Sequence, residues 1–405
     1  MQIFSQKTTP TLTLLTAAVC AACAVSAPAA AQISDTFHPY LAVSRGYDDN
    51  LFRLEEGTVL PGTNGARSDS NTRTQYGVII DRPISRQRLT AQLKKSKVKY
   101  DRFDFLDYDG KDYVADLAWQ VGNYWEGHVG GSYIQTLTSF TDFQEAVRNL
   151  RVQKRQYADA AWRMHPSFRV RVAGNKLKTT YDLAAQQYND RTEDQFDLGF
   201  DYLPRSGSRF GVQLSRLKAD YPNRRLFDGT PFDNGYTQNE VKANIYWVFS
   251  ATSQFQMLAG WAERKHGFFT ERDNSGLNGR ATMNWSMLRK LRMTAVAWRE
   301  FSPVESNVIN NSLNKGGSFR ADWDISAKVS MNASARREKR DFSALAGREA
   351  PPNLHDTTST GSVGLTYAPT LSSQLSLGLF REVRKGNFST NYRSNGANLS
   401  ASIQF

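Results

Sequence analysis

The chain has 405 residues, a net charge of +12 and two cysteines, Cys20 and Cys23. Both cysteines lie in the first 31 residues, which excludes disulfides and thiolate metal sites from the rest of the chain. Beyond that segment no stretch approaches the roughly 20 apolar residues of a membrane-spanning helix. The mean hydropathy is −0.54 although 12% of residues are aromatic, and this combination is typical of a sheet that places only alternate side chains in lipid.

The N-terminal segment has the features of a cleaved secretory signal. Lys7 supplies a positive charge, an apolar run follows over residues 12–25, and alanines at positions 29–31 fit a small-residue cleavage site. Neither cysteine has the neighbours that lipid modification requires. We therefore expect a signal peptide over residues 1–31 and a single domain over residues 32–405. A basic chain could bind nucleic acid, but a secreted chain rarely meets it, so we do not expect that partner.

The remaining chain consists of alternating apolar and polar segments separated by short turns. Successive turns are roughly 40 residues apart, which fits two membrane strands of about 10 residues each plus one longer loop. Propeller blades have a similar period, but each blade needs four short strands. The turns are predicted at residues 83–86, 122–123, 165–167, 204–208, 250–253, 288–290, 325–327 and 368–370.

This pattern predicts an all-β fold, a transmembrane antiparallel β-barrel in the outer membrane. We count eighteen strands, the first near residues 36–45 and the last at 393–405, with sixteen as the alternative count. An even number places both termini in the periplasm, with the short turns there and the longer loops outside. The loops are predicted at residues 47–73, 101–111, 140–154, 180–191, 220–235, 266–276, 302–314, 341–355 and 385–392.

The last nine residues alternate strictly, with apolar side chains at the odd positions and polar side chains at the even ones. The segment ends at Phe405 and resembles the closing strand of bacterial outer-membrane barrels, which implies that Phe405 is part of a signal for the barrel-assembly machinery. On this segment alone, an edge strand of a soluble sandwich is the alternative. Aromatic residues near strand ends, on the apolar face, predict a belt at the periplasmic interface: Trp119, Tyr133, Tyr202, Trp247, Trp261, Trp285, Trp323 and Tyr367.

Charged residues occupy the opposite, polar phase and are candidates for lining the lumen. The basic candidates are Arg169, Arg171, Lys242, Arg280, Arg292, Arg320, Lys328 and Arg336, and the acidic ones are Asp116, Asp197, Asp201, Asp322 and Asp324. A basic excess would suit an acidic polymer. Alternatively, the charges pair across strands and stiffen the wall.

One segment breaks the alternation. Leu89, Ala91 and Leu93 set the apolar phase of a strand, but lysines at positions 95, 97 and 99 continue it. A lysine at the bilayer midplane costs roughly 2–4 kcal/mol. We expect a bulge after Leu93 that turns Val98 and Tyr100 outward; lysines that snorkel above the membrane are the alternative.

The segments 47–53 (Tyr-Asp-Asp-Asn-Leu-Phe-Arg), 100–103 (Tyr-Asp-Arg-Phe) and 106–109 (Leu-Asp-Tyr-Asp) resemble those of the EpsL-type family. These proteins are outer-membrane β-barrels of exopolysaccharide biosynthesis loci. The resemblance implies a role in exporting a polysaccharide, which the basic candidates suggest is acidic, and partners at the periplasmic turns. Outer-membrane lipid is the other expected partner.

The sequence leaves three alternatives to export. An enzyme would need a histidine near a nucleophile, and the five histidines (His38, His128, His165, His266 and His355) form no metal-binding or hydrolase motif. We therefore expect no catalysis, metal or cofactor. We expect the histidines to be wet, meaning solvent-exposed, or interfacial. A diffusion porin would need a long loop folded into the lumen, for which loops of about fifteen residues are short; only the 47–73 loop is longer. A structural or adhesive barrel with a filled lumen is the third alternative.

Overall fold

The computed structural model describes residues 36–227, 230–268, 270, 273–304, 311–342, 353–387 and 391–405. The expected signal peptide and its cleavage site lie outside the described residues. No helix in the described ranges is long and apolar enough to cross a membrane.

Twenty strands account for most of the described chain, together with two short 3₁₀ helices, Asp104–Leu106 and Ala184–Asn189. The strands are β1 (Phe37–Asp48), β2 (Asp69–Ile84), β3 (Gln87–Tyr100), β4 (Tyr108–Val121), β5 (Trp125–Leu137), β6 (Leu150–His165), β7 (Phe168–Tyr181), β8 (Arg191–Tyr202), β9 (Arg209–Asp220), β10 (Arg225–Phe227), β11 (Thr230–Phe232), β12 (Tyr236–Ser250), β13 (Ser253–His266), β14 (Asn274–Leu288), β15 (Leu291–Pro303), β16 (Asn311–Asp324), β17 (Val329–Phe342), β18 (His355–Tyr367), β19 (Ser373–Gly386) and β20 (Tyr392–Gln404).

Eighteen of these strands form one antiparallel barrel, and β10 and β11 make a separate hairpin in the loop between β9 and β12. Each barrel strand pairs with its neighbours along the chain, and β1 pairs with β20 to close the sheet. The eight short turns fall where the sequence predicts them, and the start of β1 and the end of β20 lie at that end, called the turn end below. The opposite end is called the loop end. The predicted fold is confirmed, although strands extend several residues into the predicted loops.

Alternation along each strand gives the barrel two chemically different faces. On β12, the exposed fraction is 56% for Val241 and 9% for Lys242. Val241 stands in register with Leu214 on β9 and Trp261 on β13, so apolar side chains of neighbouring strands share the outer face. This arrangement repeats around the sheet because both neighbours of every strand follow the same period. The result is an apolar outer band and a polar inner face.

All eight predicted belt residues lie on the outer face, but not all lie at the predicted height. Trp119, Tyr202, Trp247, Trp285, Trp323 and Tyr367 are close to the short turns. Tyr133 and Trp261 instead lie in the loop half of β5 and β13, since both strands run from the turn end towards the loop end. The prediction of a single turn-end belt was wrong for these two.

The predicted bulge in β3 is absent. The pairing of β3 with both β2 and β4 runs without a shift through this segment. Lys95, Lys97 and Lys99 therefore stay on the outer face, while Val98 points inward and is buried, with an exposed fraction of 3%. The lysines are accommodated because they lie in the loop half of the strand, beyond its apolar part.

Candidate functional site

Three loops turn inward at the loop end and pack against one another. The first loop (residues 49–68), the second (101–107) and the third (138–149) share an apolar cluster of Phe52, Leu54, Phe103, Leu106 and Phe140. The ring of Phe52 lies 4.9 Å from that of Phe103 and 4.7 Å from that of Phe140, centroid to centroid, both edge-to-face. Burying side chains of this size stabilises by about 2 kcal/mol each. The cluster therefore holds the three loops together as one unit.

The third loop crosses the mouth of the barrel and is tied to the opposite wall. Asp142 accepts hydrogen bonds from Arg340 on β17 over 2.9 and 3.1 Å. Arg384 on β19 donates to the carbonyl of Thr141 over 2.7 Å and lies 3.3 Å from the Asp142 carboxylate. Since this loop leaves the barrel between β5 and β6, these bonds fix it across the lumen.

A buried carboxylate holds the two arginines in place. Asp356 on β18 has no exposed side-chain surface. It accepts from Arg340 over 3.0 and 2.6 Å, and its Oδ2 lies 3.6 Å from Arg384 Nε. Burial alone would raise the pKa of Asp142, but Arg340 and Arg384 hold that pKa below its usual range. The tie between loop and wall is therefore ionised at neutral pH.

The first loop reaches the same wall through Arg53. Its guanidinium lies 2.8 Å from Asp48 and 3.1 Å from Glu382 on β19. Its backbone is left-handed, with φ of 58°, and its carbonyl accepts a hydrogen bond from Gln144 of the third loop. A left-handed residue other than glycine is strained, and the two ion pairs offset that strain. The first and third loops are thus fastened to β19 and to each other.

The Tyr-Asp-Asp-Asn segment fastens the first loop to the last strand. Asp48 accepts from the hydroxyl of Ser394 over 2.7 Å, and Asp49 accepts from the backbone and side-chain nitrogens of Asn395, each over 2.7 Å. Asn50 donates to the carbonyls of Leu54 and Arg393 over 2.8 and 2.9 Å. This segment therefore supports the seam of the barrel.

The inward fold of the third loop corrects the argument from loop length. Twelve residues are enough to cross the mouth because the first and second loops provide an apolar surface on which Phe140 packs. The sequence did carry a signal, since Phe52, Phe103 and Phe140 are large apolar residues in loops rich in polar residues. Their partners, however, lie too far away in sequence for a local pattern to reveal them.

The predicted lumen residues, with one exception, lie on the inner face of the strands. Arg169 and Arg171 both bond the fully buried Asp201, and Arg169 also bonds Glu126. Arg292 pairs with Asp324 and Arg320 with Asp322, at 2.6 Å in both cases. Asp116 accepts from Tyr157 over 2.6 Å, and Asp197 accepts from Gln195 over 3.0 Å.

Lys328 is the exception, because it lies in the turn between β16 and β17. The alternation continues through the sequence at this point, whereas the ladder of β16 and β17 ends at the pair Asp324 and Ser330. The turn residues that follow Asp324 belong to neither strand. Lys328 is thus a turn-end residue.

A polar recess of about 410 Å³ opens on the inner wall formed by β8, β9, β12 and β14–β17. Its charged side chains are paired: Arg280 with Glu300 at 2.7 Å, Arg336 with Glu338 at 2.7 Å, and Lys242 with Glu240 at 2.6 Å. Trp298 lies between two of the pairs. The guanidinium carbons of Arg280 and Arg336 lie 5.3 and 4.3 Å from its ring centroid, and its indole donates to Glu338 over 2.7 Å.

The inner face as a whole is close to electrically balanced. Inward positions of the described strands hold about as many carboxylates as basic side chains. Pairs such as Arg88–Asp81 near the turn end and Arg384–Asp356 near the loop end follow the same rule. Most of the basic candidates that suggested an acidic substrate therefore already have carboxylate partners within the wall.

The histidines do not assemble a site among the described residues. His128 faces the lumen and lies 3.3 Å from Asp159. His266 departs from the expectation of wet histidines, because it is buried with an exposed fraction of 5% and its ring packs 5.7 Å from that of Tyr236. No group of His, Asp and Glu side chains in the described ranges has the arrangement of a metal site.

A family model described as Putative beta-barrel porin 2 matches residues 36–405. The match supports an outer-membrane β-barrel family but not the resemblance to the EpsL-type family, whose quoted segments serve here to fasten the loops. No curated protein shows a significant match.

The structure is similar to solved structures of bacterial proteins. OccK1 (OpdK) of Pseudomonas aeruginosa is 9% identical with a TM-score of 0.50, over 91% of this chain and 99% of that chain. OccAB3 of Acinetobacter baumannii is 11% identical with a TM-score of 0.47, over the same shares of the two chains. At these identities the likeness concerns the fold alone.

Proposed function

The chain belongs to the Putative beta-barrel porin 2 family of outer-membrane β-barrels, and on that premise we propose that it is a selective diffusion porin. Its substrates would be small polar solutes that enter from outside and pass along the inner wall. The observation that carries the proposal is the third loop, held across the lumen by the bonds of Asp142 to Arg340 and Arg384. A loop fixed in this way narrows the passage and gives it a size limit.

The chemistry of the wall favours neutral or zwitterionic solutes. Amides, hydroxyls and paired charges line the recess, so a solute finds donors and acceptors without a strong field of one sign. Gln238, Asn278 and Asn314 supply amides, and Ser215 and Ser302 supply hydroxyls. A loop tied across the mouth obstructs a polymer more than a small solute. The family match and the balanced wall thus favour a porin over polysaccharide export.

Two measurements on the purified barrel test this proposal. In liposomes, we expect rapid swelling with neutral solutes of monosaccharide size and much slower swelling with tetrasaccharides. In planar bilayers under a potassium chloride gradient, we expect a reversal potential near zero. Absence of conductance, or a strong preference for one ion, would contradict the proposal.

A gene deletion separates the porin from an exporter. We expect slower uptake of small solutes by the deletion strain and unchanged surface polysaccharide. Loss of surface polysaccharide with normal small-solute uptake would overturn the proposal and restore the export hypothesis.

A further inference from the structure

The outer face of the barrel carries a strong charge asymmetry along its height. In the turn half, the outward positions are almost entirely apolar or aromatic. In the loop half, outward basic side chains far outnumber outward carboxylates. Because the inner face is balanced, much of the basic excess of the chain lies outside the lumen, facing the membrane.

The densest part of this region is a basic patch on β3–β7, formed by Lys95, Lys97, Lys99, Lys111, Lys154 and Lys178. Several lysines elsewhere on the outer face have carboxylate partners: Lys176 with Asp194, Lys218 with Asp220, Lys265 with Glu263, and Lys315 with Asp341. Within the described part of the chain, none of the six patch lysines forms an ion pair. Asp109 stands opposite Lys97 in the register but is not bonded to it.

The register brings like charges face to face in this patch. Lys95 stands directly opposite Lys111, and Lys154 directly opposite Lys178. Directly opposed side chains have Cβ atoms about 5 Å apart, and like charges there repel. Anions between or above the ammonium groups would relieve this repulsion. The other cross-strand neighbours of these four lysines are uncharged, and the carboxylate of Asp109 stands only diagonal to Lys95.

Two tyrosines complete the patch between the lysine pairs. The rings of Tyr113 and Tyr133 stack with centroids 5.9 Å apart. The ammonium nitrogens of Lys111 and Lys154 lie 5.9 and 5.5 Å from the Tyr133 centroid. Tyrosine is typical of the boundary between hydrocarbon and headgroups. The lysines therefore sit just at or above that boundary.

Strand geometry places the patch at the same level. Lys95 is eight residues beyond the start of β3 at Gln87. With a rise of about 3.3 Å per residue and a tilt of about 40°, eight residues climb about 20 Å, against an apolar band about 25 Å tall. A lysine stem of four methylenes spans the remaining distance. The ammonium groups thus reach the headgroups of the outer leaflet.

We propose that this patch binds the phosphate groups of the outer-leaflet lipid, a phosphorylated glycolipid of the lipopolysaccharide type. The lysines supply charge-assisted hydrogen bonds to phosphate, the tyrosines rest on the sugar and upper acyl region, and the bound anions relieve the repulsion between opposed lysines. The partner is a lipid because the patch lies on the lipid-facing side of the strands, away from the passage.

The test measures binding of diphosphorylated lipid A to the folded barrel in zwitterionic detergent, by native mass spectrometry and by the shift in unfolding temperature. We expect saturable binding that is lost with lipid A from which the phosphates have been removed. A variant with Lys95→Gln, Lys111→Gln, Lys154→Gln and Lys178→Gln should bind at least about tenfold more weakly.

The matched control removes the same charge from the same face. It carries Lys176→Gln, Lys218→Gln, Lys265→Gln and Lys315→Gln, whose lysines are already neutralised by carboxylates, and should bind like the unmodified protein. Equal weakening of both variants, or unchanged binding by the patch variant, would overturn the proposal. Should the patch variant not fold, the unmodified barrel decides: equal affinity for the two forms of lipid A rules out phosphate recognition.

Discussion

The inner and outer faces of this barrel both carry many basic side chains, but the surroundings of these side chains differ between the two faces. Inside, Arg340 lies between Asp142 and Asp356, and Arg280 bonds Glu300. Outside, Lys95 faces Lys111 and Lys154 faces Lys178. The inner charges pair with one another and set the shape of the passage, whereas these four opposed outer lysines have no ion-pair partner in the described chain and need an anion from elsewhere. The basic net charge of the chain therefore indicates what its outer face contacts in the membrane rather than the charge of its substrate.

Among variants of the two faces, Asp356→Ala should have the largest effect, a loss of stability. The change leaves the two buried arginines Arg340 and Arg384 with Asp142 as their one remaining shared carboxylate, and breaking a buried pair in this way costs about 3–5 kcal/mol. We expect a marked drop in the denaturant midpoint of the barrel in detergent. Asp322→Ala, which removes the partner of the exposed Arg320, serves as the control and should cost less than about 1 kcal/mol. Equal losses would show that the buried network has no special role.

Asp142→Asn should loosen the third loop without unfolding the barrel. Loss of the charge weakens its bonds to Arg340 and Arg384 by about 2 kcal/mol, equivalent to about thirtyfold more time undocked. Single-channel recordings should show frequent excursions to a higher conductance. Unchanged recordings would mean that the loop does not limit the current.

The same tie predicts a pH dependence with a defined sign. Because the pKa of Asp142 is lowered in the folded protein, the stabilisation is fully present above the usual pKa of Asp, about 4. It is lost as the pH falls through the lowered value. We expect constant conductance from neutral pH down to about 5 and large openings only in stronger acid. Asp142→Asn should open frequently at every pH, and openings of the unmodified barrel near pH 6 would contradict the assignment.

A smaller effect, on ion selectivity, should follow from neutralising carboxylates of the polar recess. Glu300→Gln together with Glu338→Gln frees Arg280 and Arg336 on the inner wall. The reversal potential should shift towards chloride, with a permeability ratio of about three. Glu263→Gln together with Asp341→Asn removes two carboxylates from the outer face and should leave the ratio unchanged. Equal shifts in both variants would mean that the two faces are not electrically separate.

The smallest effect, of opposite sign, is expected for Lys95→Gln. In detergent without anionic lipid, the change removes repulsion with Lys111 and should stabilise the barrel by up to about 0.5 kcal/mol. The gain should disappear in concentrated salt, which screens exposed charges. Equilibrium unfolding at two salt concentrations measures both values, and destabilisation at low salt would show that the lysine has a partner.

The strands could be predicted from sequence because alternation is a local signal that each segment repeats. Positions such as Val241 and Lys242 reveal their face without knowledge of any partner. The predicted bulge in β3 was wrong because the sequence shows that the lysines continue the apolar phase but does not show their height in the membrane. Lys95 lies in the loop half of the strand, where a cation is tolerated. The tie of Asp142 could not be predicted, since Arg340 is 198 residues away in sequence and no local pattern joins them.

The bonds between the Tyr-Asp-Asp-Asn segment and the last strand also impose an order on biogenesis. Asp48 and Asp49 lie at the end of the first strand, and their partners Ser394 and Asn395 are synthesised 346 residues later. Until the final strand arrives, Asp48 has only partners within the first loop, such as Arg53, and Asp49 lacks Asn395. The segment therefore forms these bonds only in a closed barrel, and a chain truncated before the last strand would lack them at the loop end.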